Sequence, residues 1–121
     1  MPIVQRIMGS GIPAQAAQNI NGDWSGALTA TGSSQATALL LGSVVNSVTT
    51  TAASTGVQLP ATSPGDWVYV HNSGANTLSV YGQTGDAIQS GAANAAFSVA
   101  ANKGALFFRV STTLWGAILT A

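Results

Sequence analysis

The stretch SPGDWVYVH, residues 63–71, decides the fold class of this 121-residue chain. Its first four residues form a turn signal, because proline presets φ and glycine and aspartate tolerate turn conformations. The five residues that follow are rich in aromatic and β-branched side chains and alternate between two faces. One face carries Trp67, Tyr69 and His71, and the other carries Val68 and Val70. This period of two predicts a strand.

Short β-type runs recur on both sides of that strand and are separated by turn clusters. We predict them at Thr37–Leu41, Val44–Thr51, Gly56–Leu59, Thr77–Tyr81, Ala87–Ile88, from Ala96, at Leu106–Val110 and at Leu114–Leu119. Strands spaced by about 8–12 residues with turns between them are typical of all-β domains. We therefore expect a single sandwich or jelly-roll-like domain of short antiparallel strands over residues 33–121. No internal repeat is evident.

Residues 1–32 lack a strong period and contain five glycines. Pro13 and these glycines would interrupt a long helix, so we predict an extended N-terminal arm with at most one helical turn. Apolar side chains along this arm are the candidate partner-binding residues, namely Ile3, Val4, Ile7, Met8, Ile12 and Trp24. The start of the chain lacks the apolar stretch of a signal peptide, so we expect synthesis in a cytoplasm without later processing.

Charged residues are unusually scarce. They make up 5% of the chain, three basic and three acidic, against about 25% in ordinary soluble domains. A near-neutral surface lacks the repulsion that keeps copies apart, which favours a protein that works assembled against other polypeptides. So few cations argue against nucleic-acid binding. No apolar run approaches 18 residues, so no membrane span is predicted.

The residues that could perform catalysis are nearly absent. The chain has one histidine, three aspartates, no glutamate and no cysteine. General acid–base and metal chemistry need several such groups close together, and His71 reads as a strand-end histidine. Asp23, Asp66 and Asp86 each lie beside a glycine or a turn, where bonding to the backbone explains them. We predict no catalytic residue, metal site or cofactor. In a symmetric assembly, however, the same aspartate from each copy could meet on the symmetry axis and bind a cation there.

A succession of motifs gives this chain a family resemblance. It comprises GVQLP (56–60), PGDWVYV (64–70), NSGANTLSVY (72–81), TGDAI (84–88) and the closing TLW (113–115). These resemble small β-rich virion proteins of tailed bacteriophages, particularly head decoration or cement proteins. The resemblance implies a trimer on the outer capsid surface that bridges capsomers of the major capsid protein. It also implies that the N-terminal arm clasps neighbours.

Two other functions remain open at this stage. A host-surface glycan recognition module of a phage fibre or head fibre would use the Trp67 and Tyr69 face, because aromatic rings stack on sugars. A small hydrolase would need His71 and an aspartate, and the sequence shows no Gly-x-Ser-x-Gly nucleophile signature to support it.

Overall fold

A computed structural model describes residues 3–16 and 22–121. It contains the short helix α1 (Ile3–Gly9) and ten strands. The strands are β1 (Trp24–Thr29), β2 (Leu39–Leu40), β3 (Val45–Thr50), β4 (Gly56–Gln58), β5 (Trp67–Asn72), β6 (Leu78–Tyr81), β7 (Ala87–Ile88), β8 (Phe97–Val99), β9 (Lys103–Arg109) and β10 (Leu114–Leu119). The prediction of an all-β domain is confirmed.

The strands form two sheets that the chain visits in turn. The larger sheet has the order β1-β3-β5-β9-β10-β7, and the smaller has the order β2-β4-β6-β8. Up to β6 the neighbours within each sheet are parallel. One circuit of the chain therefore adds one strand to each sheet, which is the connectivity of a β-solenoid. Trp24 pairs with Val45, and Val45 pairs with Tyr69, so successive circuits are 21 and 24 residues long.

The predicted antiparallel arrangement is wrong for these three circuits. The segment 73–77 is not a hairpin loop between neighbouring strands: it is a corner that carries the chain from β5 in the larger sheet to β6 in the smaller one. Asn72 fixes this corner, because its Oδ1 accepts the Gly74 N–H at 3.0 Å and its Nδ2 donates to the Asn76 carbonyl at 2.8 Å. Turn residues predict where a strand ends, but they do not say which strand comes beside it.

Antiparallel strands close the other end of the molecule. Strand β9 pairs with β5, β10 pairs with β9, and β8 pairs with β6, all antiparallel, while the short β7 runs parallel to β10. The rings of Phe97 on β8 and Phe107 on β9 meet edge to face at 5.5 Å between centroids and join the two sheets here. Terminal repeats of a solenoid need such a cap, because an open end exposes unpaired strand edges.

The core lies between the sheets. Its fully buried side chains include Val48, Val57, Leu59, Val70, Leu78, Val80, Val99, Phe107 and Trp115. The valines stack in register from one circuit to the next, as at Val57 and Val80. Trp115 lies in the core with none of its surface exposed. Truncating such a side chain lowers the free energy of unfolding, because its transfer free energy is lost and a cavity is left behind.

Arg109 is a buried cation. Arginine is mostly exposed in proteins, but Arg109 is only 8% exposed and its Nη1 lies 2.5 Å from Oδ2 of Asp86. The guanidinium also lies 5.2 Å from the ring centre of Trp115, and the indole N–H of Trp115 donates to the same carboxylate oxygen at 3.2 Å. The pairing is possible because Asp86, 23 residues earlier in sequence, enters the same end of the core.

The predicted arm, residues 1–32, is divided in the structure. Residues 24–29 form β1, so this part of the segment belongs to the larger sheet. Residues 3–9 form α1, a helix of seven residues instead of the single turn expected. The described side chains of α1, including Arg6 and Met8, are exposed. In the described part of the chain, no helix is long and apolar enough to cross a membrane.

Candidate functional site

The larger sheet has an outward surface that no other part of the described chain covers. Strand pairing lines up one row of side chains across five strands, in the order Trp24, Val45, Tyr69, Leu106 and Ile118. A second row beside it contains Trp67 and Phe108, which are also paired. We call these seven residues the outer face. Residues paired across a sheet point to the same side, so the rows form one continuous surface.

The outer face is apolar and uncharged. Trp24 is 67% exposed, Trp67 43%, Phe108 39% and Ile118 61%. The charged residues on these five strands are Lys103 and Arg109, and the strand alternation turns both away from the outer face. Single exposed apolar side chains are ordinary on proteins, but a contiguous patch of this kind marks an interaction surface.

Glycines let the aromatic rings lie flat on this sheet. The ring of Trp24 lies over Gly26, where a Cβ would come within 2.1 Å of it. Tyr69 covers Gly104 in the same way, with its hydroxyl 2.1 Å from the position of a Cβ there. That hydroxyl is 3.1 Å from Nδ1 of His71, and the two rings are stacked. The result is a level aromatic surface, which suits a flat partner more than a small ligand.

A groove of about 470 Å³ opens beside Trp67, where the outer face ends. Its walls are apolar at Val44, Pro60, Ala61, Trp67 and Val68, and its polar groups belong to Asp23, Ser43, Thr62 and Asp66. Each aspartate uses one oxygen on the backbone: Asp23 accepts the Val44 N–H and Asp66 the Ser63 N–H, both at 3.0 Å. The hydroxyl of Thr62 is buried without a hydrogen-bond partner.

The groove therefore has a negative rim. In the described ranges, 3–16 and 22–121, the ion pair between Arg109 and Asp86 is the one salt bridge. Within the same ranges, Asp23 and Asp66 line the groove and form no ion pair. The prediction of backbone bonding at a turn is confirmed for Asp66, whereas Asp23 bonds a residue 21 positions away.

Of the six candidate partner-binding residues, four lie on α1 and two lie outside it. Ile3, Val4, Ile7 and Met8 are on α1; the side chains of the first three are outside the described part, and Met8 is 41% exposed. Ile12 is half-buried in the segment after the helix, and Trp24 is the residue of the outer face that lies on β1. Sequence reasoning missed Leu106, Phe108 and Ile118, since nothing local in the sequence says which side of their strands faces out.

The arrangement of titratable groups is structural in character. Burial by itself raises the pKa of the Asp86 carboxyl, but the hydrogen bonds from Arg109 and Trp115 and the charge of Arg109 outweigh it, so this pKa lies below its ordinary value. The carboxylate is thereby held ionised as the partner of a buried cation. Within the described residues, no three His, Cys, Asp or Glu side chains come together as a metal site would require.

Comparison with known proteins adds no relative. No protein-family model, no curated protein and no solved structure matches this chain.

Proposed function

We propose that this protein is a structural assembly protein, and specifically a decoration protein that binds the outer capsid surface of a tailed phage. In this proposal it has no catalytic activity and stabilises the shell by bridging capsomers of the major capsid protein. The observation that carries the proposal is the outer face, a level, uncharged and largely exposed aromatic surface. The scarcity of charge in the chain supports it, because a chain with few charges resists association weakly.

The size of the outer face favours a large partner over a second copy. The whole outward side of the five strands, which are about 4.8 Å apart and about 20 Å long, covers roughly 480 Å², and this is an upper bound for the outer face. A stable interface needs about 800 Å² from each partner, so one pair of outer faces is too small. Three faces of a trimer laid on one shell would together bury up to about 1,440 Å² on the protein side, and avidity would strengthen the attachment.

Apolar burial would supply the free energy of attachment. At about 25 cal/mol per Å², even a partly apolar contact of this size outweighs the loss of a few side-chain rotamers. Because the outer face carries no charge, attachment through it would persist in high salt.

The test compares attachment to empty capsid shells of the phage that encodes the protein. We expect wild-type protein to co-sediment with the shells and Phe108→Ser/Ile118→Ser to lose at least about tenfold in affinity, since two apolar contacts are removed. Leu40→Ser is the matched control, because Leu40 is 60% exposed on the smaller sheet. Absence of wild-type binding would contradict the proposal, as would equal binding by the outer-face variant.

A second candidate function is recognition of a host-surface glycan by a fibre. It is favoured by the position of Trp67, 43% exposed beside a groove that contains hydroxyl and carboxylate groups. An aromatic ring next to such groups is the usual composition of a sugar site. A specific glycan-array signal that disappears in Trp67→Ala would establish this function instead.

A further inference from the structure

We propose that the groove beside Trp67 receives Arg6 from the arm of a second copy of this chain. The inference rests on the proposed function, because it names the contact by which copies of an assembly protein would hold one another. It concerns a different surface from the outer face, so the two contacts can be tested separately.

Of the three basic residues, Arg6 is the one that is exposed and available to bind in the groove. Arg109 is buried against Asp86, and the Nζ of Lys103 donates to the carbonyl of Ala121 at 2.5 Å. Arg6 is exposed on α1 and makes no ion pair with Asp23 or Asp66 of its own chain. With Arg109 and Asp86 paired, Arg6 on the arm and Lys103 on β9 are the remaining cations, and Asp23 and Asp66 in the groove are the remaining anions.

The groove has the composition that an arginine side chain requires. Asp23 and Asp66 supply carboxylate oxygens for the planar guanidinium. Trp67, 43% exposed at the groove wall, offers an aromatic face on which a guanidinium stacks. Val44, Pro60 and Ala61 provide apolar surface for the side-chain stem and for neighbours of Arg6 on the arm.

The exposed helix supports an occupant from the arm. Met8 on α1 is 41% exposed, and the other described side chains of this helix are exposed as well. A seven-residue helix is too short to be stable in water without packing. Docking on a neighbour would supply that packing and would also neutralise the rim of the groove.

The contact joins two different surfaces, the arm of one copy and the groove of the next. Such a heterologous contact closes into a ring when the rotation between copies allows it, whereas two identical faces give only a dimer. Arm exchange is therefore the kind of contact that builds the trimer implied by the proposed function, and it leaves the outer face of every copy free for the shell.

The experiment is a mixing test by sedimentation velocity. Arg6→Glu spoils the arm and leaves the groove intact. Asp23→Asn/Asp66→Asn removes the negative charge of the groove without creating a partner for the glutamate of Arg6→Glu, and it leaves the arm intact. We expect wild-type protein to associate, and each variant alone to associate at least about tenfold more weakly. The mixture should form dimers that stop there, because one arm and one groove remain competent in such a pair. Sodium chloride at about 0.5 M should weaken wild-type association relative to about 0.05 M.

Matched variants guard against trivial loss of folding. Asp66→Asn removes the charge but retains an oxygen for the Ser63 N–H, so it should fold normally and still weaken association. Lys103→Glu makes the same change in charge as Arg6→Glu, and we expect it to leave association unchanged. Chemical denaturation of each variant checks that the domain remains folded.

Each other outcome overturns a specific claim. Variants that associate as the wild type does, or a mixture that stays monomeric, would contradict arm exchange. An Arg6→Glu effect confined to binding of capsid shells would mean that Arg6 contacts the shell and not a second copy, and would contradict arm exchange. A neutral sugar that displaces Arg6 from the groove would assign it to glycan binding. Wild-type protein that binds no shell would instead refute the proposed function, whatever the arm does.

Discussion

Both sides of the larger sheet carry apolar side chains, but those on one side are buried and those on the other are exposed. On strands β5 and β9, Val68, Val70 and Phe107 point inward and are at most 2% exposed, while Trp67 and Phe108 point outward and are 43% and 39% exposed. The smaller sheet covers the inner side, and nothing in the described chain covers the outer side. A contiguous exposed apolar patch is typical of interaction surfaces, and the proposed attachment to a capsid shell rests on this one.

The largest effect is expected on the inner side. Trp115→Ala should lower the free energy of unfolding by about 4–5 kcal/mol, because it leaves a cavity in the core. It also removes the indole that contacts Arg109 and Asp86. Denaturation in urea measures this change, with Ile118→Ala on the outer side of the same strand as the control at less than about 0.5 kcal/mol. Equal losses for the two variants would remove the distinction between the sides.

The buried ion pair makes the inner side sensitive to acid. Asp86→Asn should cost about 3 kcal/mol near pH 7, because it leaves the charge of Arg109 buried without its partner. The pKa of Asp86 is lowered on folding, so its contribution is complete above the ordinary aspartate value of about 3.9 and is lost as the pH falls toward the lower folded value. Wild type should therefore lose stability below about pH 4 more steeply than Asp86→Asn. Parallel pH profiles of the free energy of unfolding would contradict this assignment.

The next largest loss of stability is expected at Asn72, a polar residue on the inner side of the larger sheet. Asn72 is fully buried; its Oδ1 accepts from the Thr51 hydroxyl and the Gly74 N–H, and its Nδ2 donates to the carbonyls of Asn76 and Val99. Asn72→Ala should cost about 2–3 kcal/mol, since several of these groups would be left unpaired. Asn46→Ala is the comparison, and it should cost less because the Oδ1 of Asn46 has no partner already. Thermal or urea unfolding ranks the two, and the reverse order would be inconsistent with the corner at 73–77 depending on Asn72.

The smallest effect concerns the edge of the outer face. Ala27 lies in an irregular part of β1 with φ of 55°, a left-handed conformation that favours glycine. Ala27→Gly should raise the free energy of unfolding by about 0.5–1 kcal/mol by relieving the strain. Ala30→Gly, at a buried site without positive φ, should lower it. A destabilised Ala27→Gly would show that β1 is not held in this bulged form.

Local sequence predicted most of the strands, but it missed β1 and did not predict how the strands pair. Trp67–His71 and Leu114–Leu119 were placed correctly from β-branched and aromatic residues bounded by turns. Parallel coiling was missed because pairing depends on residues 21 to 24 positions apart, and the circuits share no obvious repeated motif.

Arg109 shows why the inward side of β9 could not be read from the sequence. Arg109 lies two residues after Phe107 and therefore on the same side of the strand. A charged residue there suggests that this side is solvated, whereas the structure buries both residues. The reason is Asp86, a residue distant in sequence whose carboxylate forms an ion pair with Arg109 and offsets the cost of burying the cation. The candidate site was therefore half predictable: the Trp67 and Tyr69 side of β5 follows from alternation, but the outward position of Phe108 follows from a contact distant in sequence.

The most direct measurement is co-sedimentation of Phe108→Ser/Ile118→Ser with empty capsid shells, beside wild type and Leu40→Ser. The predicted result is that wild type and the control bind equally while the outer-face variant, still folded, falls by at least about tenfold in affinity. Unchanged binding by that folded variant would contradict the claim that the uncovered side of the larger sheet is where this molecule meets its partner.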